Sequence, residues 1–161
     1  MTRLLDHKTY QQTLPKKRIS AGCLFFDAAG NLLVVNPTYK QDWEIPGGVV
    51  EADESPRETV MREVREELGL ARAPLRLLGV DYSGQTDRRT ESLQFIFLGG
   101  VLSADEIARI RLPAAELSEY RFLAPEEALA LLSKRLRRRL RCCLANLDRP
   151  GALYMEEQAV V

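Results

Sequence analysis

The order of apolar and polar segments predicts an α/β protein in which a mixed sheet lies between helices. Two observations carry this. Four apolar runs read as strands and fall into two pairs, Ile19 to Phe26 with Leu32 to Val35, and Leu75 to Tyr82 with Leu93 to Leu102. Two other stretches, after Ser55 and after Pro125, carry apolar residues at helical spacing. A chain of 161 residues, 45% hydrophobic and 29% charged, can bury one core without disulfides or a structural metal. Residues 1–17 are polar and read as an N-terminal arm, and residues 18–161 as a single domain.

Taken in order, Ile19 to Phe26 is a buried strand, and Asp27 to Asn31 turns the chain into the second strand, ended by Asn36 and Pro37. A polar loop then leads to Trp43, the lone tryptophan, which suits either a cleft wall or core packing. Pro46-Gly47-Gly48 lets the backbone turn tightly and approach a ligand, because glycine has no Cβ to intervene. Ser55 supplies a helix cap, Pro56 the first helical position and Gly69 a left-handed stop. Between them Val60, Met61, Val64 and Leu68 make the expected buried face. The second strand pair forms a longer hairpin whose loop, Ser83 to Ser92, overhangs a cleft. Ser103 to Glu119 shows no sustained period and reads as an irregular connection, followed by a short strand from Tyr120 to Leu123. From Pro125 a single leucine-striped helix is expected, running through Leu129, Leu132, Leu136, Leu140, Leu144 and Leu147. Its arginines, among them Arg135, Arg137 and Arg139, read as a solvated face. The tail beyond Pro150-Gly151 is uninformative.

Composition narrows the functional classes. Lys plus Arg and Asp plus Glu are each 23, so net charge supports neither nucleic-acid nor membrane binding. Three cysteines, two of them adjacent (Cys142 and Cys143), make no disulfide framework and point to reduced thiols in a cytoplasmic setting. The N-terminal sequence has no apolar signal core, and no apolar run reaches the roughly 18 residues of a membrane span.

The helix after Ser55 carries the chemistry. Glu63, Glu66 and Glu67 lie three and four residues apart and share one side. Like charges so placed destabilise a helix by a few tenths of a kcal/mol per pair, and Arg62, within reach of Glu58 and Glu66, relieves only part of this. A divalent cation turns the repulsion into binding, and hard carboxylate oxygens favour Mg²⁺ or Mn²⁺.

These residues carry a resemblance. Gly48, Glu54 and the run Arg62-Glu63-Val64-Arg65-Glu66-Glu67-Leu68-Gly69-Leu70 match G-x5-E-x7-R-E-U-x-E-E-x-G-U, with U apolar, at every fixed position. The stretch resembles the complete Nudix box. The resemblance implies an α/β/α sandwich and hydrolysis of nucleoside diphosphates linked to another moiety, with water attacking phosphorus. It implies Glu63, Glu66 and Glu67 as metal ligands for Mg²⁺, with Mn²⁺ a substitute, and Glu54 as an outer or water-mediated ligand. Arg62 would orient carboxylates, and Trp43, Gly47 and Gly48 are candidate substrate-binding residues. The general base stays open between a box glutamate and Glu91, Glu116 or Glu119. A small nucleotide-type substrate is the expected partner. Nucleic acid is not expected, capped RNA staying in the substrate panel, and a homodimer accords with the family's habit. Two alternatives stand beside this reading. An isoprenoid-diphosphate isomerase of the same superfamily would need a catalytic cysteine, for which Cys23 in a strand is a poor candidate. A non-catalytic nucleotide sensor would bind without turnover.

Overall fold

Alternation along the first strand sets up two separate cores. The computed structural model describes residues 6–161. In β1 (Arg18–Phe26) Leu24 and Phe26 face one core, while Ala21, Cys23 and Phe25 face the other. β2 (Leu32–Pro37) divides the same way, Leu32 and Val34 against Leu33 and Val35. This is the period of two that puts successive side chains on opposite faces of a sheet. Both faces therefore need covering, and helices cover both.

The sheet has eight strands. Besides β1 and β2 these are β3 (Gly47–Val49), β4 (Arg76–Ser83), β5 (Ser92–Val101), β6 (Leu117–Leu123), β7 (Leu153–Glu156) and β8 (Ala159–Val160). Their order is β6-β2-β1-β5-β4-β7-β8, with β3 paired to β1. β1 runs parallel to β5, and β4 parallel to β7, while the other pairs are antiparallel, so the sheet is mixed as expected. β5 lies along one edge of β1. The other edge is divided between β2, which pairs at Phe26, and β3, which pairs from Ser20 to Gly22.

On one face lies α2 (Pro56–Leu68), begun by a Ser55–Glu58 capping box and ended by Gly69 at φ 70°. Val60, Val64 and Leu68 are buried as predicted, Met61 only half so, and Thr59 joins them because its hydroxyl finds Glu54 at 2.7 Å. On the other face lie α4 (Pro125–Leu131) and α5 (Lys134–Leu144), whose Ala128, Leu129, Leu140 and Cys143 complete the first core.

Three expectations need correction. The leucine stripe is two helices, because Leu132 turns extended and Ser133 caps a new start by accepting from Leu136 N–H. Arg137 closes the break by donating to the carbonyls of Leu129, Ala130 and Leu132. The connection after β5 contains α3 (Ala104–Ala108), nucleated by a Ser103–Glu106 capping box. The tail is not idle: β7 adds to the sheet beside β4 and buries Met155 completely. Residues 1–5 of the arm lie outside the described residues, and within the rest α1 (His7–Thr13) is a short helix capped by Asp6 with nothing buried. Among the described residues no helix is long and apolar enough to cross a membrane.

Candidate active site

The divided edge of β1 opens onto a cleft of about 460 Å³. Its floor includes Ala21 and Gly22 of β1 and Gly47 and Gly48 of β3. Close packing requires Gly47, and Gly48 leaves room for the Glu63 carboxylate where it stands. A Cβ on Gly47, whose φ is 150°, would run into the Ala21 carbonyl, and one on Gly48 would overlap the Glu63 carboxylate.

α2 delivers Glu63 and Glu67 to the cleft. Glu67 is held by one protein donor, Gly47 N–H, at 2.9 Å to Oε2. Burial pushes its carboxyl up to about 8, opposed by that N–H and reinforced by the charges of Glu63, Glu44 and Glu116. Burial also raises Glu63, against the pull of Arg62. Arg62 is the hub of the remaining carboxylates. Its Nε and Nη2 take both oxygens of Glu54 at 2.9 and 3.0 Å, and its Nη1 reaches Glu63 at 2.8 Å and Glu66 at 3.1 Å. Nη2 also donates to the Val49 carbonyl, tying the helix to the end of β3. The Arg62 guanidinium and the Thr59 hydroxyl hold Glu54 down to about 2. Glu58, a partner that spacing allowed to Arg62, instead completes the helix cap.

The three box glutamates do not close into a ready-made cage. Among the described residues no three His, Cys, Asp or Glu side chains come together closely enough to enclose a metal. Glu63 and Glu67 line the cleft, while Glu66, with a half-exposed side chain, turns to Arg62. The donor set nevertheless suits Mg²⁺, which is held by one or two carboxylates and keeps the rest of its shell for water and phosphate oxygens. Glu67 in particular is a half-buried carboxylate facing three others with a single N–H for company, the electrostatic situation that a cation relieves.

Of the carboxylates outside the box, Glu116 and Glu44 line the cleft, and Glu44 is paired with Lys40. Glu91 is tied to Lys17 and to Tyr82 Oη, and Glu119 to Arg121. Trp43 belongs to the core: it is 8% exposed, and the Arg121 guanidinium lies 4.9 Å from its ring centroid. Its expected place in the cleft wall is taken by Ile45 and the exposed Tyr39. Three basic residues also line the cleft, Arg18, Lys40 and Arg139. Arg139 was masked by the other arginines of its helix, yet the signal was there. It stands at helical spacing between Leu136 and Cys143, on the apolar stripe, and is 6% exposed.

A family model of the NUDIX domain matches residues 16–147. The chain belongs to the Nudix family. It is similar to an uncharacterised Nudix hydrolase of Pseudomonas aeruginosa, 37% identical over 112 residues, covering 66% of this chain and 62% of that protein. An ADP-ribose pyrophosphatase of Methanocaldococcus jannaschii is 37% identical over 78 residues, covering 46% of each chain. The matches therefore span between about half and three fifths of these relatives' own lengths. Among solved structures, a MutT protein of Methanosarcina mazei superimposes with a TM-score of 0.69 at 26% identity, over 85% of this chain and all of that one. The match contains residues 48–70, from β3 through α2, and it ends before β7 and β8.

Proposed function

We propose that this Nudix protein hydrolyses the diphosphate linkage of a nucleoside diphosphate derivative, with water attacking phosphorus and Mg²⁺ or Mn²⁺ required. The observation that carries the reading is the pairing of Glu63 and Glu67, both raised by burial, in a glycine-floored cleft that also holds Arg18 and Lys40. Carboxylates alone repel a diphosphate. Glu63 and Glu67 would hold the metal, with Glu66 and Glu54 acting through water, and when bound the ion neutralises the diphosphate and acidifies attacking water. Arg62 fixes the rotamers of Glu54, Glu63 and Glu66, so the ligand atoms are placed before substrate arrives. Gly47 and Gly48 would leave room for the phosphates, and of the three carboxylates considered outside the box Glu116, which lines the cleft, would accept the proton of the attacking water.

The relative named as an ADP-ribose pyrophosphatase supports a diphosphate substrate of this type. An isomerase built on cysteine finds no support, because Cys23 is fully buried and burial raises its thiol far above neutrality. The test is a panel of nucleoside triphosphates, ADP-ribose, dinucleoside polyphosphates, NADH and capped RNA, with products identified by mass. Cleavage at a diphosphate in Mg²⁺ that stops in EDTA and returns with added metal is the expected result. Tight binding with no product from any member would replace this reading with a nucleotide sensor.

A further inference from the structure

Arg139 is a charged residue of the cleft for which the acidic chemistry has no use. Its Nε and Nη2 both reach Asp81 Oδ2, at 2.8 and 2.7 Å. Asp81 on β4 is 0% exposed, and its Oδ1 accepts Gln158 N–H at 2.9 Å. Gln158 sits in the turn between β7 and β8, with φ 64°, and its amide also reaches Ser83, which in turn accepts from Arg135. Nη1 of Arg139 has no acceptor in this network. Among the described residues the buried side-chain N and O atoms without a partner are Arg72 Nε and Ser92 Oγ. Nη1 is therefore not sealed in, and Arg139 is one of the residues that line the cleft.

The surroundings of this donor differ from the acidic site. Glu63 and Glu67 come from α2 on one face of the sheet, and Arg139 comes from α5 on the other, so the cleft reaches between them. On this face the cleft is lined by Leu136, Ile96, Ile45 and Gly22, and also by Ser20 and Gln94, whose side chains are hydrogen-bonded to each other. A Cβ on Gly22 would come within 2.8 Å of Ile45, so the glycine keeps the apolar wall flat. Asp81 already balances the guanidinium charge, which makes Nη1 a hydrogen-bond donor with little net charge behind it. Such a donor, beside apolar side chains and the uncharged groups of Ser20 and Gln94, suits a neutral carbonyl on a flat ring better than a second phosphate.

We propose that Arg139 selects the base of the nucleotide, donating Nη1–H to a ring carbonyl, so that the cleft prefers keto bases over adenine. This deepens the reading of the cleft as a nucleoside diphosphate site and rests on it. Adenine carries an amino group where hypoxanthine and guanine carry a carbonyl. Two donors would then face each other, each losing its partner, and a site built around a hydrogen bond rejects the analogue that cannot make it. The Arg139 rotamer is fixed by Asp81 and, through it, by the β7–β8 turn, beyond the end of the family match at residue 147.

The test compares inosine 5′-diphosphate with adenosine 5′-diphosphate by calorimetric titration, since the two differ in a carbonyl against an amino group on the same ring carbon. Wild type is expected to bind the inosine nucleotide about tenfold more tightly. Arg139→Gln alone strands a buried carboxylate and risks the fold. The double variant Asp81→Leu with Arg139→Met exchanges the pair for apolar side chains and keeps the protein folded, as thermal melting will verify. In that folded variant the preference should shrink to within about twofold, one hydrogen bond's worth having been removed. Equal binding of the two nucleotides by wild type, or an undiminished preference in the double variant, overturns the proposal. Failure of wild type to bind either nucleotide overturns it together with the nucleotide reading of the cleft. A clear preference without hydrolysis of any diphosphate would instead keep base selection and remove the chemistry proposed above.

Discussion

At the scale of single residues, Glu67 concentrates the conflict that makes the site work. The folded protein holds its proton up to about 8, whereas the unfolded carboxyl titrates near 4.5. Between those values the folded state binds more protons than the unfolded chain, so stability falls as pH rises through the window. In EDTA, the thermal midpoint of wild type should drop between pH 5 and pH 8.5, and Glu67→Gln should lose most of that dependence. With Mg²⁺ the same variant should lose turnover about a hundredfold or more, because a ligand to the charge-stabilising ion is gone. A variant with full turnover and an unchanged pH profile would show Glu67 to be a solvated helix residue. Arg62 makes a complementary case. Its fork grips both oxygens of Glu54 while a third nitrogen serves Glu63 and Glu66, a geometry that lysine cannot copy. Arg62→Lys should keep the fold and lower the affinity for Mg²⁺ about 10- to 100-fold, measured by metal titration of turnover.

At the scale of elements, capping decides where helices begin more firmly than apolar periodicity does. The stripe from Leu129 to Leu147 has a continuous helical period, yet the chain breaks at Leu132. Ser133 satisfies an N–H that a new helix start leaves bare, and Arg137 donates to three carbonyls around the old helix end. Trp43 N–H donates to the Leu131 carbonyl at 3.2 Å, where the chain forms a bridge to Leu132. Ser133→Ala should cost about 1 kcal/mol, read from urea unfolding, with the base preference and turnover close to wild type. A larger loss accompanied by altered nucleotide binding would mean that the α5 start controls the cleft directly.

At the scale of the whole molecule, the tail and the cysteines test which parts belong to the core and which to the chemistry. Met155 is fully buried in the first core although it lies beyond the family match. Met155→Ala should destabilise by about 2–5 kcal/mol, whereas a dangling tail would show no change. Cys23 and Cys143 are both buried, and burial raises the Cys143 thiol to about 12, so neither presents a thiolate near neutral pH. A variant with all three cysteines replaced by Ala should hydrolyse substrate at a rate within a few-fold of wild type once its melting confirms folding. Loss of turnover in a folded, metal-binding variant would reopen the isomerase reading.

The sequence by itself determined the box helix from cap to stop, the strand runs on both sides of it and the set of acidic residues, because all of these are local. A serine cap, a left-handed glycine and a period of 3.6 act within a few residues, whatever the rest of the chain does. Only the tertiary structure decided what long-range neighbours settle. It placed Glu67 against Gly47 twenty positions away and chose Glu116 over Glu91 and Glu119 for the cleft. It drew Trp43 into the core and joined the tail to β4. Arg139 shows the physical reason most plainly. On its own helix it is one basic residue among several, and a charge at that position reads as solvated. Buried beside Asp81, which lies 58 positions away in sequence, the same charge is satisfied, and its remaining donor becomes available to a ligand.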